Sequence, residues 1–165
     1  MVRIICVVLL ASVSFYGCGK KAEEKGAETM IEKAIENESG GTADVDISEG
    51  TMNIKTDDGE MSVTSGKGAR IPDAFPDDIL IYKGASIEAA MEVPDGFSIQ
   101  LKTDDGVAKV SELYTSRMKA DGWSQEASVD MGQQAMLSFK KDERAAQVVI
   151  MPDDNSTRIG LTTSK

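Results

Sequence analysis

The stretch VAKVSELYTSRMKADGW, residues 107–123, decides the fold. Val107, Val110, Leu113, Tyr114 and Met118 recur at helical spacing and form one apolar stripe of a helix over 107–120. Asp104 or Asp105 is expected to cap its start, and Gly122 to end it. Trp123 follows at once and is expected to pack under the last turn. Such a stripe needs a second layer to cover it.

The flanking segments supply that layer. Residues 125–130, 135–140 and 146–151 alternate with a period of two, and 158–163 is expected to close the sheet. Upstream, 79–82 and 97–101 read as strands; 87–93 fits strand or helix, and strand is favoured because Pro94-Asp95-Gly96 then makes a turn into 97–101. Short turns argue for antiparallel pairing. The expected class is α+β: an antiparallel sheet with one main helix packed on one face.

A smaller unit precedes it. Val45 and Ile47, Met52 and Ile54, and Met61 and Val63 mark a three-stranded meander over 44–64. Glu49-Gly50 and Asp57-Asp58-Gly59 form its turns. Before it, residues 27–38 place Met30, Ile31, Ala34 and Ile35 on one helical face, which is expected to dock on the domain that follows. Residues 65–70 read as a flexible link, and Pro72 and Pro76 stiffen the next segment into an extended form. The methionines after the initiator are expected to fill gaps in the core.

The N-terminus reads as an address. Arg3 is followed by an apolar run over 4–13, long enough for a secretory signal and too short to span a bilayer, which needs about 20 residues. Phe15-Tyr16-Gly17-Cys18 then resembles the lipobox of bacterial lipoproteins. The resemblance implies diacylglyceryl transfer to the Cys18 sulfur, cleavage after Gly17 and fatty acylation of the new terminus. Ordinary secretion is the competing reading, with a small-x-small site at Ser12-Val13-Ser14 and a free thiol at Cys18. Residues 19–28, rich in Gly, Lys, Glu and Ala, favour the anchor, because they read as a tether. The expected organisation is a signal peptide at 1–17, a flexible tether at 18–28, a short helix plus β-meander at 29–70, and an α+β domain at 71–165.

Composition narrows the function. The chain holds 165 residues with a net charge of −10 and no histidine. The acidity disfavours nucleic acid. The missing histidine removes the commonest general base and zinc ligand. Once 1–17 is removed, Cys18 is the only cysteine left, so no disulfide forms within the chain.

PDDILIYKGASI, FSIQLKTDD, VSELYTSRMKADGW and LSFKK resemble a module of many bacterial and archaeal envelope lipoproteins. The segment from 31 to 63 is similar to one that often precedes that module. No activity or catalytic residue is established for the family, so the resemblance implies no site beyond Cys18. It implies a cell-envelope location, with the membrane as partner through the N-terminal lipid. Gly19, in place of the Asp that signals inner-membrane retention in some Gram-negative bacteria, leaves the outer membrane open.

Other motifs favour structural readings. The two KTDDG copies, at 55–59 and 102–106, could offer oxygens to calcium but suit turns. Asp44-x-Asp46-x-Ser48 opens like an EF-hand loop, yet Glu49 and Lys55 stand where that loop needs Gly and Glu. Pro152-Asp153-Asp154-Asn155 suits a tight turn. Ser138 and Lys141 have acylase spacing on a strand, where they point to opposite faces. No catalytic, metal or cofactor residue is therefore expected. The expected function is a non-catalytic binding or structural module of the envelope, with an unknown envelope protein or polymer as partner. The alternative is a carboxylate-dependent hydrolase of an envelope polymer, which would need two buried carboxylates about 5–9 Å apart.

Overall fold

A computed structural model describes residues 20–39, 41–48, 50–57 and 59–165. The expected signal peptide and Cys18 lie outside them. Helix α1 spans Lys20–Ser39 and α2 spans Val107–Ala120. The strands are β1 (Ala43–Ser48), β2 (Thr51–Thr56), β3 (Gly59–Ser65), β4 (Ser86–Val93), β5 (Gly96–Thr103), β6 (Ser124–Asp130), β7 (Ala135–Lys141), β8 (Arg144–Asp153) and β9 (Ser156–Ser164). They form one nine-stranded sheet in the order β1-β2-β3-β4-β5-β9-β8-β7-β6, and every pairing is antiparallel. The class is α+β, a large antiparallel sheet with two helices.

The core follows from strand alternation in register. Ile99, Leu161, Val148 and Leu137 form one row across β5, β9, β8 and β7. Leu101, Ile159, Ile150 and Ala135 form the next. All eight are buried. Val110, Tyr114 and Met118 of α2 join the same cluster, so the helical stripe read from the sequence is the side that packs. Leucine and isoleucine at alternate strand positions and an i, i+4, i+8 set on the helix give two apolar surfaces, and burying them removes both from water. Gly96 lets β5 and β9 close up, because a Cβ there would run into the Thr163 carbonyl.

Several expectations need correction. Residues 79–82 form no strand; they lie in a strap over 69–85, where Ile79 and Tyr82 turn inward at a spacing of three. Two prolines and side-chain bonds hold this strap, so its apolar run does not need a strand partner. The C-terminal strand does not close the sheet: β9 sits between β5 and β8 at its middle. Helix α1 begins at Lys20, within the expected tether; Ala, Glu and Lys are soluble and also strong helix formers. The 65–70 link contains a 3-10 turn at Gly66–Gly68, and the Thr64 hydroxyl bonds both the N–H and the carbonyl of Arg70. Of the described methionines, only Met118 is in the core. Met52, Met61, Met91, Met136 and Met151 are half-buried, and by register they lie on the face opposite α2.

The meander continues the main sheet through Ser62–Ser65, paired with residues 89–92 of β4. Helix α1 lies along the edge strand β1. Its Glu28 and Glu32, one turn apart, accept the N–H groups of Ile47 and Val45 at 2.9 and 3.2 Å. Those carboxylates occupy donors that would otherwise be open to another chain.

The large apolar cluster lies wholly within residues 71–161. A fragment of residues 71–165 is therefore expected to unfold as one cooperative transition in urea. A broad transition would mean that α1 and the meander belong to the same folding unit.

Candidate functional site

The strap is the feature from which a site is built. Phe75 packs edge-on against Phe97 of β5, with ring centroids 5.5 Å apart. Tyr82 stacks on Tyr114 of α2 at 6.3 Å. Between these anchors Asp78 meets the β7–β8 hairpin. Its carboxylate accepts Lys141 Nζ at 2.7 Å and both terminal nitrogens of Arg144 at 3.0 and 2.6 Å. The Trp123 indole N–H donates to the Asp78 carbonyl at 2.9 Å, and the Arg144 guanidinium lies 5.0 Å from the centre of the Trp123 ring. The hydrogen bond from Arg144 leads the effects that hold the Asp78 carboxyl down at about 2.

A second tie lies at the strap's end. The Tyr82 hydroxyl donates to Asp105 at 2.7 Å, and Lys109 donates to the other oxygen. Lys109 and then Tyr82 lower the Asp105 pKa, while burial first and Asp105 second push Tyr82 up to about 12. Asp105 is thus occupied, and the N-cap of α2 is Gly106 with no side-chain cap. The expected Asp cap is replaced by a long-range bond.

Tyr114 is different. Its hydroxyl is buried without a hydrogen-bond partner. Burial raises its pKa; the Tyr82 backbone pulls the other way without hydrogen-bond geometry. Removing an orphaned hydroxyl while keeping the ring relieves a desolvation cost. Tyr114→Phe is expected to leave stability unchanged or raise it by up to about 1 kcal/mol, whereas Tyr82→Phe is expected to lower it by about 1–2 kcal/mol through loss of a bond to a charged group. Urea unfolding of both variants checks the contrast.

Outside these ties, the strap and the C-terminal end of α2 border an open cleft of about 450 Å³. Ile71, Phe75, Ile79, Leu80 and Ile81 give it apolar side chains, and Asp73, Asp77, Asp121 and Arg117 give it three carboxylates against one guanidinium. Apolar side chains interspersed with polar groups are a usual lining of a small-molecule site. The sequence reading missed it, because residues 71–81 read as a stiff link and a strand. The signal was six apolar side chains within a segment broken by two prolines.

The acidic motifs are placed elsewhere. Asp57 accepts the Thr42 N–H and hydroxyl, and Asp58 and Glu49 lie outside the described residues. Asp153 accepts Lys102 at 2.8 Å and Arg158 at 3.2 Å, and Lys102 leads the lowering of its pKa. Asp154 takes a positive φ in the β8–β9 turn. Asp44 and Asp46 are exposed on β1, and Asp104 is exposed before α2. Ser138 and Lys141 lie on opposite faces of β7, as strand spacing requires. Among the described residues, no three His, Cys, Asp or Glu side chains converge as a metal site, and the buried polar side chains are four threonines rather than paired carboxylates. No described helix is long and apolar enough to cross a membrane.

A family model described as START domain-like matches residues 86–157, less than half of the chain. The match runs from β4 through α2 to the start of β9. Comparisons with curated proteins and with solved structures give no match.

Proposed function

We propose that this chain is a lipid-anchored protein of the cell envelope, held through Cys18, whose α+β domain is a non-catalytic binding module. In this reading α2 is the one main helix of the domain, and its C-terminal end together with the strap forms the binding cleft. The cleft is the observation that carries the reading. Its apolar side chains suit a ligand with an apolar body, and three carboxylates against one guanidinium disfavour an anionic one. The partial likeness to a START domain-like family supports a ligand-binding rather than a catalytic class. The lipobox resemblance at Gly17-Cys18 supports the anchor. The hydrolase alternative needs a carboxyl whose pKa is raised, so that it can serve as a general acid. The carboxyls of Asp78, Asp105 and Asp153 are all lowered.

The test uses residues 18–165 with Cys18→Ser, which keeps every described element. The probe is Nile red, an uncharged apolar dye whose fluorescence rises out of water. Saturable fluorescence is expected, with affinity reduced about tenfold in Leu80→Asp and in Ile71→Asp, the loss of roughly one good contact each. Equal binding by wild type and both variants would rule the cleft out.

A further inference from the structure

The two edges of the sheet are treated differently. At β1 the outward N–H groups of Val45 and Ile47 are occupied by Glu32 and Glu28. At the other end of the sheet stands β6. It pairs with β7 alone, and six of its seven residues are exposed. Among the described residues, no group bonds its outer side. A groove of about 640 Å³ runs beside it, walled by Trp123, Lys119 and residues 124–128.

We infer that the outer edge of β6 is a docking site for an extended segment of a partner protein, one that alternates apolar residues with Lys or Arg. An open edge offers a ladder of backbone donors and acceptors, and alternate side chains of an added strand then read the two faces. The β-bulge at Gln125/Ala127 disrupts the first half of the strand, so the regular ladder is Ala127 to Asp130. By register Val129 stands beside Met136 and Val149 on the face opposite α2. Val129 is 41% exposed and Met131, just past the strand, 62%. An added strand would set its apolar side chains against this row. Its other side chains would meet the face that carries Asp130. Glu126 and Asp130 are the only charged residues of β6. Within a chain of net charge −10, they favour a cationic strand and oppose pairing with a second copy.

The site is separate from the strap cleft, so it goes beyond the proposed function, and the two can fail independently. The probe is a blocked peptide of about nine residues alternating Val and Lys, long enough to cover an ordinary strand. Its control is the same peptide N-methylated on one edge, which keeps charge and side chains but cannot complete the ladder. Both are titrated by backbone NMR into residues 18–165 carrying Cys18→Ser. The expected result is shift changes centred on 127–130, slowed amide exchange there, and binding at least about tenfold weaker for the methylated peptide, the equivalent of one hydrogen bond lost. Val129→Lys, an exposed change that spares the core, is expected to weaken the unmethylated peptide by a similar factor. Equal binding of the two peptides, indifference to Val129→Lys, or changes centred away from β6 would overturn the inference. If dye binding in the cleft persists in that case, the binding-module reading stands without it.

Discussion

Trp123→Ala is expected to lower the unfolding free energy by about 4–5 kcal/mol and the melting temperature by about 8–20 °C. The side chain is 2% exposed and belongs to the main core. Truncation removes its packing and leaves a cavity, which for an aromatic costs about 3–5 kcal/mol. It also strips the Asp78 carbonyl of its indole donor and Arg144 of the ring beneath it, losses that place the effect in the upper part of that range. Trp123→Phe restores much of the volume and loses the N–H, so a smaller drop of about 1–2 kcal/mol is expected. Denaturant unfolding measures both. A loss below 1 kcal/mol in the alanine variant would mean that the strap is not seated on Trp123.

Asp78→Ala is the second large effect, an expected loss of about 2–3 kcal/mol at neutral pH. It leaves Lys141 and Arg144 facing each other without the anion they share. The pH dependence gives the sign. The folded carboxyl is held at about 2 against an ordinary 3.8. The folded state therefore binds this proton less readily than the unfolded chain, and the stabilisation is present above the ordinary value. It is lost as pH falls through about 4 towards 2. The carboxylate is 27% exposed, so solvent screens part of the interaction and the linked share is about 1–2 kcal/mol. The gap between wild type and Asp78→Ala is expected to be flat from pH 5 to 7 and to narrow below about 4. A gap that stays constant to pH 2 would assign the effect to packing.

Local pattern made α2 and most strands legible. Helical spacing from Val107 to Met118 named the buried side of α2, and alternation in residues 97–101, 135–140 and 146–151 named the buried face of the sheet. Non-local bonds were not legible. Asp78 meets Arg144 across 66 residues and Tyr82 meets Asp105 across 23; neither pair leaves a periodic trace. The same bonds explain two misplaced features. The apolar run at 79–82 is held by side chains instead of a strand ladder, and Asp105 serves Tyr82 instead of the helix end. The position of β9 within the sheet was hidden too, because alternation marks a strand without naming its neighbours. The cleft followed from the strap and was missed with it. The Cys18 anchor rests on sequence alone.

The anchor is open to one direct measurement. Cells producing the full chain are grown with an alkyne analogue of palmitate, and the protein is recovered from membrane and soluble fractions, for wild type and Cys18→Ala. Wild type is expected to carry the label and remain with the membrane, and the variant to carry none. Wild-type protein recovered unlabelled in the soluble fraction, alongside an identical variant, would contradict a lipid anchor at Cys18.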